Sequence, residues 1–187
     1  MESLATRWKH LEWRIRRSIR YHARREAFFA RLESSSLALN ALLGSATLAS
    51  FSQVVAFPPF FGLPLGAAFG AAVAVVSAVD LAIGFGARAR RYAELRRRFY
   101  DAEVMLLGEQ DEERYAAAMA HVLRTEGDEP PMMYALDVLC HNELMVASGK
   151  KMSNCEDARD FYEVNWIQRL TSQVISWSNS KFPPLRS

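Results

Sequence analysis

Between Glu33 and Arg88 the chain carries one charged side chain, Asp80. A carboxylate set in so much apolar sequence is costly, and such residues by default mark an ion path or a gate. Two readings of Asp80 stay open on spacing. Ser77 and Gly84 share its helical face, as a site that meets ions requires, whereas Arg88 lies about two turns on and, like an N-terminal arginine, offers a salt bridge. The apolar segment before it holds a second polar feature. Ser36, Asn40, Gly44, Thr47 and Ser50 recur at three- and four-residue steps, which gathers small and polar groups on one helical face. A helix surrounded by lipid has no reason to gather them, because polar groups in hydrocarbon must find partners or water. The candidates for lining or gating a pore are therefore Asn40, Thr47, Ser50, Ser77, Asp80, Arg88 and Arg91. Rings of Arg88, Arg90 and Arg91 favour anions and a ring of Asp80 favours cations. Gly62, Gly66, Gly70, Ala74 and Ala78 repeat every fourth residue, a small-residue ridge of the kind that packs helices closely. Stripe and ridge either pack together within one chain or face other subunits and a pore.

No other chemistry is legible. The sequence has no phosphate-binding glycine loop, no nucleophile elbow, no zincin helix and no C-x-x-C. The acidic runs Glu109–Glu113 and Glu126–Glu129 read as solvated helix starts and turns rather than paired catalytic acids. Cys140 and Cys155 form no disulfide framework, and with His121 and His141 they lack a metal-ligand spacing, so they read as small buried thiols beside packing histidines. The expectation is a chain that is not an enzyme and holds no cofactor or metal.

The elements that position these residues follow from charge segregation. The composition, 24% charged with net charge +2, describes an ordinary soluble protein only on average. Residues 34–79 contain no Asp, Glu, Lys or Arg, and both flanks are dense with them. The charge-free stretch holds two segments of spanning length, about 36–57 and 65–86, since about twenty apolar residues cross a hydrocarbon core. Pro58, Pro59 and Pro64 forbid one continuous helix between them. The predicted fold is all-α, an integral membrane two-helix hairpin over 36–87, preceded by a basic amphipathic helix over 1–35 and followed by a cytosolic helical region over 88–180. Arginines crowd both outer flanks and none lies in the turn, so both termini are placed in the cytoplasm. A cleaved signal peptide is not expected, because the apolar stretch begins only after Glu33 and a second span follows.

Leu4, Trp8, Leu11, Ile15 and Ile19 step along one face of the N-terminal arm, with arginines over much of the rest. That helix has two resting places, the anionic inner leaflet or the helix leaving the second span, and its charge leaves nucleotide or nucleic-acid binding open. Beyond the spans the sequence predicts helices to Leu107 with a stop at Gly108, over Glu112–Thr125, over Met132–Ala147 and from Ser153 to about Trp177. The last carries a stripe of Tyr162, Trp166, Leu170, Val174 and Trp177, and a loose tail follows from Lys181.

Taken together, Trp8, the run Tyr21-His-Ala-Arg-Arg-Glu26, a two-span hairpin with a tiny turn, the exit Arg88-Ala-Arg-Arg-Tyr-Ala-Glu-Leu-Arg-Arg-Arg-Phe-Tyr100 and the late Leu139-Cys-His-Asn-Glu-Leu144 resemble the SLATT family. These are two-transmembrane effectors of bacterial nucleotide-signalling conflict systems. The resemblance lies in layout, and no family site residue is transferred by it. It implies a homo-oligomeric pore in the bacterial inner membrane. Such a pore acts as an antiphage, abortive-infection effector when a nucleotide second messenger or a cognate nucleotidyltransferase or sensor protein signals. A membrane anchor or adaptor and a holin-like lysis protein are the alternatives.

Overall fold

The computed structural model describes residues 2–51, 65–152 and 154–185, which form seven helices and no strand. In chain order these are α1 (Leu4–Phe51), α2 (Leu65–Ile83), α3 (Phe85–Met105), α4 (Glu112–Gly127), α5 (Tyr134–Ala147), α6 (Cys155–Ala158) and α7 (Trp166–Thr171). The chain is all-α as its patterning predicts. It divides into two units, Met1–Arg25 with Tyr92–Ser187 and, separately, Glu26–Arg91; α1 and α3 contribute to both.

The first unit is organised by the N-terminal stripe. Trp8, Leu11, Ile15 and Ile19 are buried with Phe99, Ala102 and Leu106 of α3 and Ala118 and Val122 of α4. Of the two resting places the sequence leaves open, this apolar face takes the protein one. Arg25 meets Tyr92, His22 meets Phe99 and Arg16 meets Glu103, so α3 runs antiparallel to α1. Arg7 pairs with Glu112 and Arg14 with Glu126, so α4 runs parallel to it. Asp111 caps α4 by accepting from the Arg114 N–H at 2.7 Å. At α5 the free Met133 N–H donates to the Tyr21 hydroxyl at 2.9 Å, which replaces a side-chain cap.

Two expectations are corrected, while the basic helix expected over 1–35 and the span expected from 36 run together in one helix of 48 residues. No Pro or Gly lies between Leu4 and Leu43, so the loss of charge at Ser34 alters the surroundings and not the backbone. The helix from α2 into α3, expected to be smooth, breaks at Gly84, whose φ of +67° belongs to the left-handed region. The Gly84 N–H still reaches Asp80 O and Arg88 N–H reaches Gly84 O, and the exposed Ile83 carbonyl accepts from Arg88 Nε at 2.9 Å.

The second correction concerns the C-terminal helix, which does not exist as one element. α6 is four residues long, and residues 161–163 pair with the tail instead, Leu185 N–H donating to Phe161 O and Glu163 N–H to Pro183 O. Asn142 reinforces that extended piece by donating to Tyr162 O and accepting from Tyr162 N–H. A new helix then starts at Trp166, where the Asn165 and Gln168 side chains satisfy each other's backbone N–H groups.

Phe99 is fully buried, stacked on His22 with ring centroids 5.3 Å apart. Phe99→Ala is expected to cost about 3–5 kcal/mol in thermal unfolding followed by circular dichroism, whereas Arg97→Ala, at an exposed site, stays within about 0.5 kcal/mol. Equal losses from the two would show that Phe99 is not part of the core.

Candidate membrane segment and its polar residues

Leu65–Met105 is, among the described residues, the one helical run long and apolar enough to cross a bilayer, with a mean hydropathy of 2.0 in its most apolar window. None of that window is buried. An apolar core helix of a soluble bundle would be covered by its neighbours; here Val75, Val79, Leu81 and Ile83 are exposed, as are Leu37, Leu39, Leu42 and Leu48 of α1. The first predicted span, 36–57, is described only as far as Phe51, where α1 reaches the end of the described residues.

Within this unit Phe29 faces Arg88, Glu33 faces Gly86 and Ser36 faces Asp80. Rising numbers on one side meet falling numbers on the other, so the two segments are antiparallel. The same face continues along α1 through Asn40, Leu43, Gly44, Thr47 and Ser50, all half-buried, and along α2 through Gly66, Gly70, Val73 and Val76. The polar stripe therefore turns toward α2.

Each candidate residue can now be placed. Thr47 and Ser50 donate their hydroxyls to Leu43 O and Thr47 O of their own helix, at 2.8 and 2.7 Å, which lowers the cost of placing them in an apolar medium. Asn40 differs: its Oδ1 is buried and accepts no hydrogen bond among the described residues. Ser77 is exposed on α2. Asp80 is half-buried and accepts one long hydrogen bond, 3.4 Å, from the buried Ser36 hydroxyl. Among the described residues it makes no salt bridge, and Arg88 turns instead to Ile83 O and lies over the Phe29 ring at 5.6 Å. Arg88 and Arg91 are exposed.

The members of the four-residue ridge differ in exposure. Gly62 lies outside the described residues, Gly66 is buried and Gly70 half-buried, but Ala74 is exposed. Steps of four advance about 40° beyond a full turn each time, so the row walks off the contact face. A Cβ at Gly44 or Gly70 would meet nothing within 4 Å, so neither glycine is needed for close approach within the chain. The tight place is Gly86, where a Cβ would collide with the Glu33 carboxylate.

In the first unit, the arginines that read as a basic surface are largely paired. Arg7, Arg14, Arg17 and Arg24 meet Glu112, Glu126, Asp137 and Glu143. Arg25 is buried and donates to Gln173 O and to the Tyr92 hydroxyl. His22, also buried, donates from Nε2 to Glu129 at 2.9 Å. His121 and His141 bond to the carbonyls of Arg98 and Asp160, the packing roles anticipated for them. Burial pushes the Cys140 thiol up to about 12, so it is inert at neutral pH. Sequence reasoning missed the His22–Glu129 and Arg25–Gln173 pairs, whose partners lie more than a hundred residues apart in the chain. Among the described residues no group of three His, Cys, Asp or Glu could hold a metal.

Compared with models of known families, with curated proteins and with solved structures, the chain matches none. Its function rests on its own geometry.

Asp137 supplies a pH test of the first unit. Burial pushes its carboxyl above the usual aspartate range, with Arg17 and His141 pulling the other way. A carboxyl whose folded value is raised adds stability below its unfolded value and loses that contribution as pH rises through the folded value. Wild type should therefore gain melting temperature relative to Asp137→Asn as pH falls into the aspartate range. A difference that does not vary with pH would contradict this.

Proposed function

We propose that this chain is a two-span membrane protein whose copies assemble into an ion-conducting pore in the bacterial cell membrane. The cytoplasmic first unit receives the signal that gates it. The observation that carries this reading is the uncovered apolar window of the Leu65–Met105 run, with Val75, Val79, Leu81 and Ile83 of α2 exposed and matched by exposed leucines on the antiparallel part of α1. Two spans cannot enclose a pore, so several copies must contribute. Gly44 and Gly70, with open space beside them, allow the backbone of another helix to come near. Asp80, with one weak donor and no cation beside it among the described residues, and Asn40, whose carbonyl oxygen has no partner among them, are polar groups that water or a passing ion would satisfy.

The layout shared with the SLATT effectors supports a role in antiphage defence, with a nucleotide second messenger or a sensor protein as the signal. α1 and α3 each run through both units, which gives a signal received by the cytoplasmic helices a continuous path toward the spans. One observation favours an anchor instead: the polar stripe is half-buried within the chain, and two of its hydroxyls are closed on their own helix.

Ion flux in liposomes carrying the purified chain separates the two. A pore gives flux above protein-free liposomes, with cation preference reduced several-fold in Asp80→Asn and conductance altered in the Asn40→Leu, Thr47→Val pair. Flux indistinguishable from protein-free liposomes, with and without candidate nucleotides, would leave the anchor.

A further inference from the structure

From Val164 to Leu185 the chain has no Asp or Glu, and it carries Arg169 and Lys181. This stretch displays an apolar ridge: Trp166, Leu170 and Val174 are 74%, 76% and 69% exposed, and Ile167 and Ile175 are exposed beside them. The ridge is presented by ordered structure. Its inner side is fixed by the buried Gln168 and Ser172, by the Asn165–Gln168 cap and by the Trp177 Nε1–H donating to the Thr171 hydroxyl at 3.1 Å. A monomeric soluble surface rarely gathers so many large apolar side chains, and where it does, the patch is an interaction site.

Its position narrows the occupant. Arg25 and Tyr92 are the residues at which the chain passes out of the first unit. Arg25 donates to Gln173 O, in the turn that follows α7, and to the Tyr92 hydroxyl. The ridge therefore lies at the end of this unit from which both connections leave. From Arg25 to Ser34, where the charge-free sequence begins, α1 rises only about 13 Å.

We propose that this ridge inserts into the interfacial layer of the anionic inner leaflet, giving the chain a membrane contact besides its spans. Trp166 sits at headgroup level, where indole is favoured. Leu170 and Val174 reach the acyl boundary, and the exposed Arg169 and Lys181 meet lipid phosphates. A second copy fits less well, since a two-fold contact would set each cation pair against its own image. The inference rests on the reading that the second unit crosses the membrane.

The test uses the full chain in vesicles of phosphatidylcholine and phosphatidylglycerol with brominated acyl chains, which quench tryptophan emission on contact. Wild type should be quenched, and Trp166→Phe, with unchanged melting, should lose most of that quenching. Arg169→Gln with Lys181→Gln, or vesicles without phosphatidylglycerol, should weaken it. Equal quenching of wild type and Trp166→Phe would overturn the proposal. So would cross-linking between copies through Leu170→Cys while Trp166 stays unquenched, an outcome that assigns the ridge to a second copy. An alkaline wash separates the two levels: a chain retained in the membrane with Trp166 unquenched overturns this inference alone, and a chain released overturns the spanning reading as well.

Discussion

One helix carries two kinds of surface. α1 leaves its first turn as an arginine-rich helix with a buried apolar stripe and continues, without a break, into a segment that has no charge and exposes its leucines. A helix is one of the few backbone forms that tolerates both, because its own hydrogen bonds satisfy the main chain whether water is present or not. Everything else adapts to that continuity. α3 and α4 cover the stripe in the first unit, and α2 covers the small, polar face in the second.

The arginines then acquire a different meaning from the one their number implies. Flanking an apolar segment they set topology, but in the folded unit most of those on α1 are taken up by carboxylates of α4 and α5. Exposed pairs of this kind contribute only about 0.2–1 kcal/mol each, far less than the burial of Trp8, Ile15 and Phe99, so their use lies in fixing which carboxylate-bearing helix packs where. A nucleic acid would have to compete with these built-in anions. That makes a general nucleic-acid surface on α1 a poor fit to the arrangement.

Much of this was legible in the sequence. The stripe from Leu4 to Ile19 is the core face, α4 and α5 start and stop within a few residues of their signals, and the charge-free segment is helical where described. What could not be read had physical causes. The break at Gly84 depends on a backbone angle that Gly permits without demanding, so nothing in the apolar pattern reports it. The C-terminal stripe has helical spacing, but its members are exposed, so no burial holds the helix together; pairing of residues 161–163 with the tail and the Asn165–Gln168 cap win instead. That cap was visible as Asn-x-x-Gln and is the signal that marked the true start. Asp80 is legible as the one charge in the apolar stretch, but that its partner among the described residues is Ser36 is not, since Arg88 is drawn to the carbonyl that the break exposes.

A polar face turned inward, an apolar face left uncovered and a charged unit built from the same two helices are what support the proposal of a membrane module with a cytoplasmic receiver. Its topology is the most direct thing to measure. Gly62→Cys, between the two apolar segments in the sequence, and Ser180→Cys, near the C-terminus, should be probed in intact cells with a membrane-impermeant maleimide. The account predicts labelling of Gly62→Cys from outside and of Ser180→Cys only after the membrane is opened. Labelling of Ser180→Cys from outside, or of Gly62→Cys only in opened cells, would contradict it.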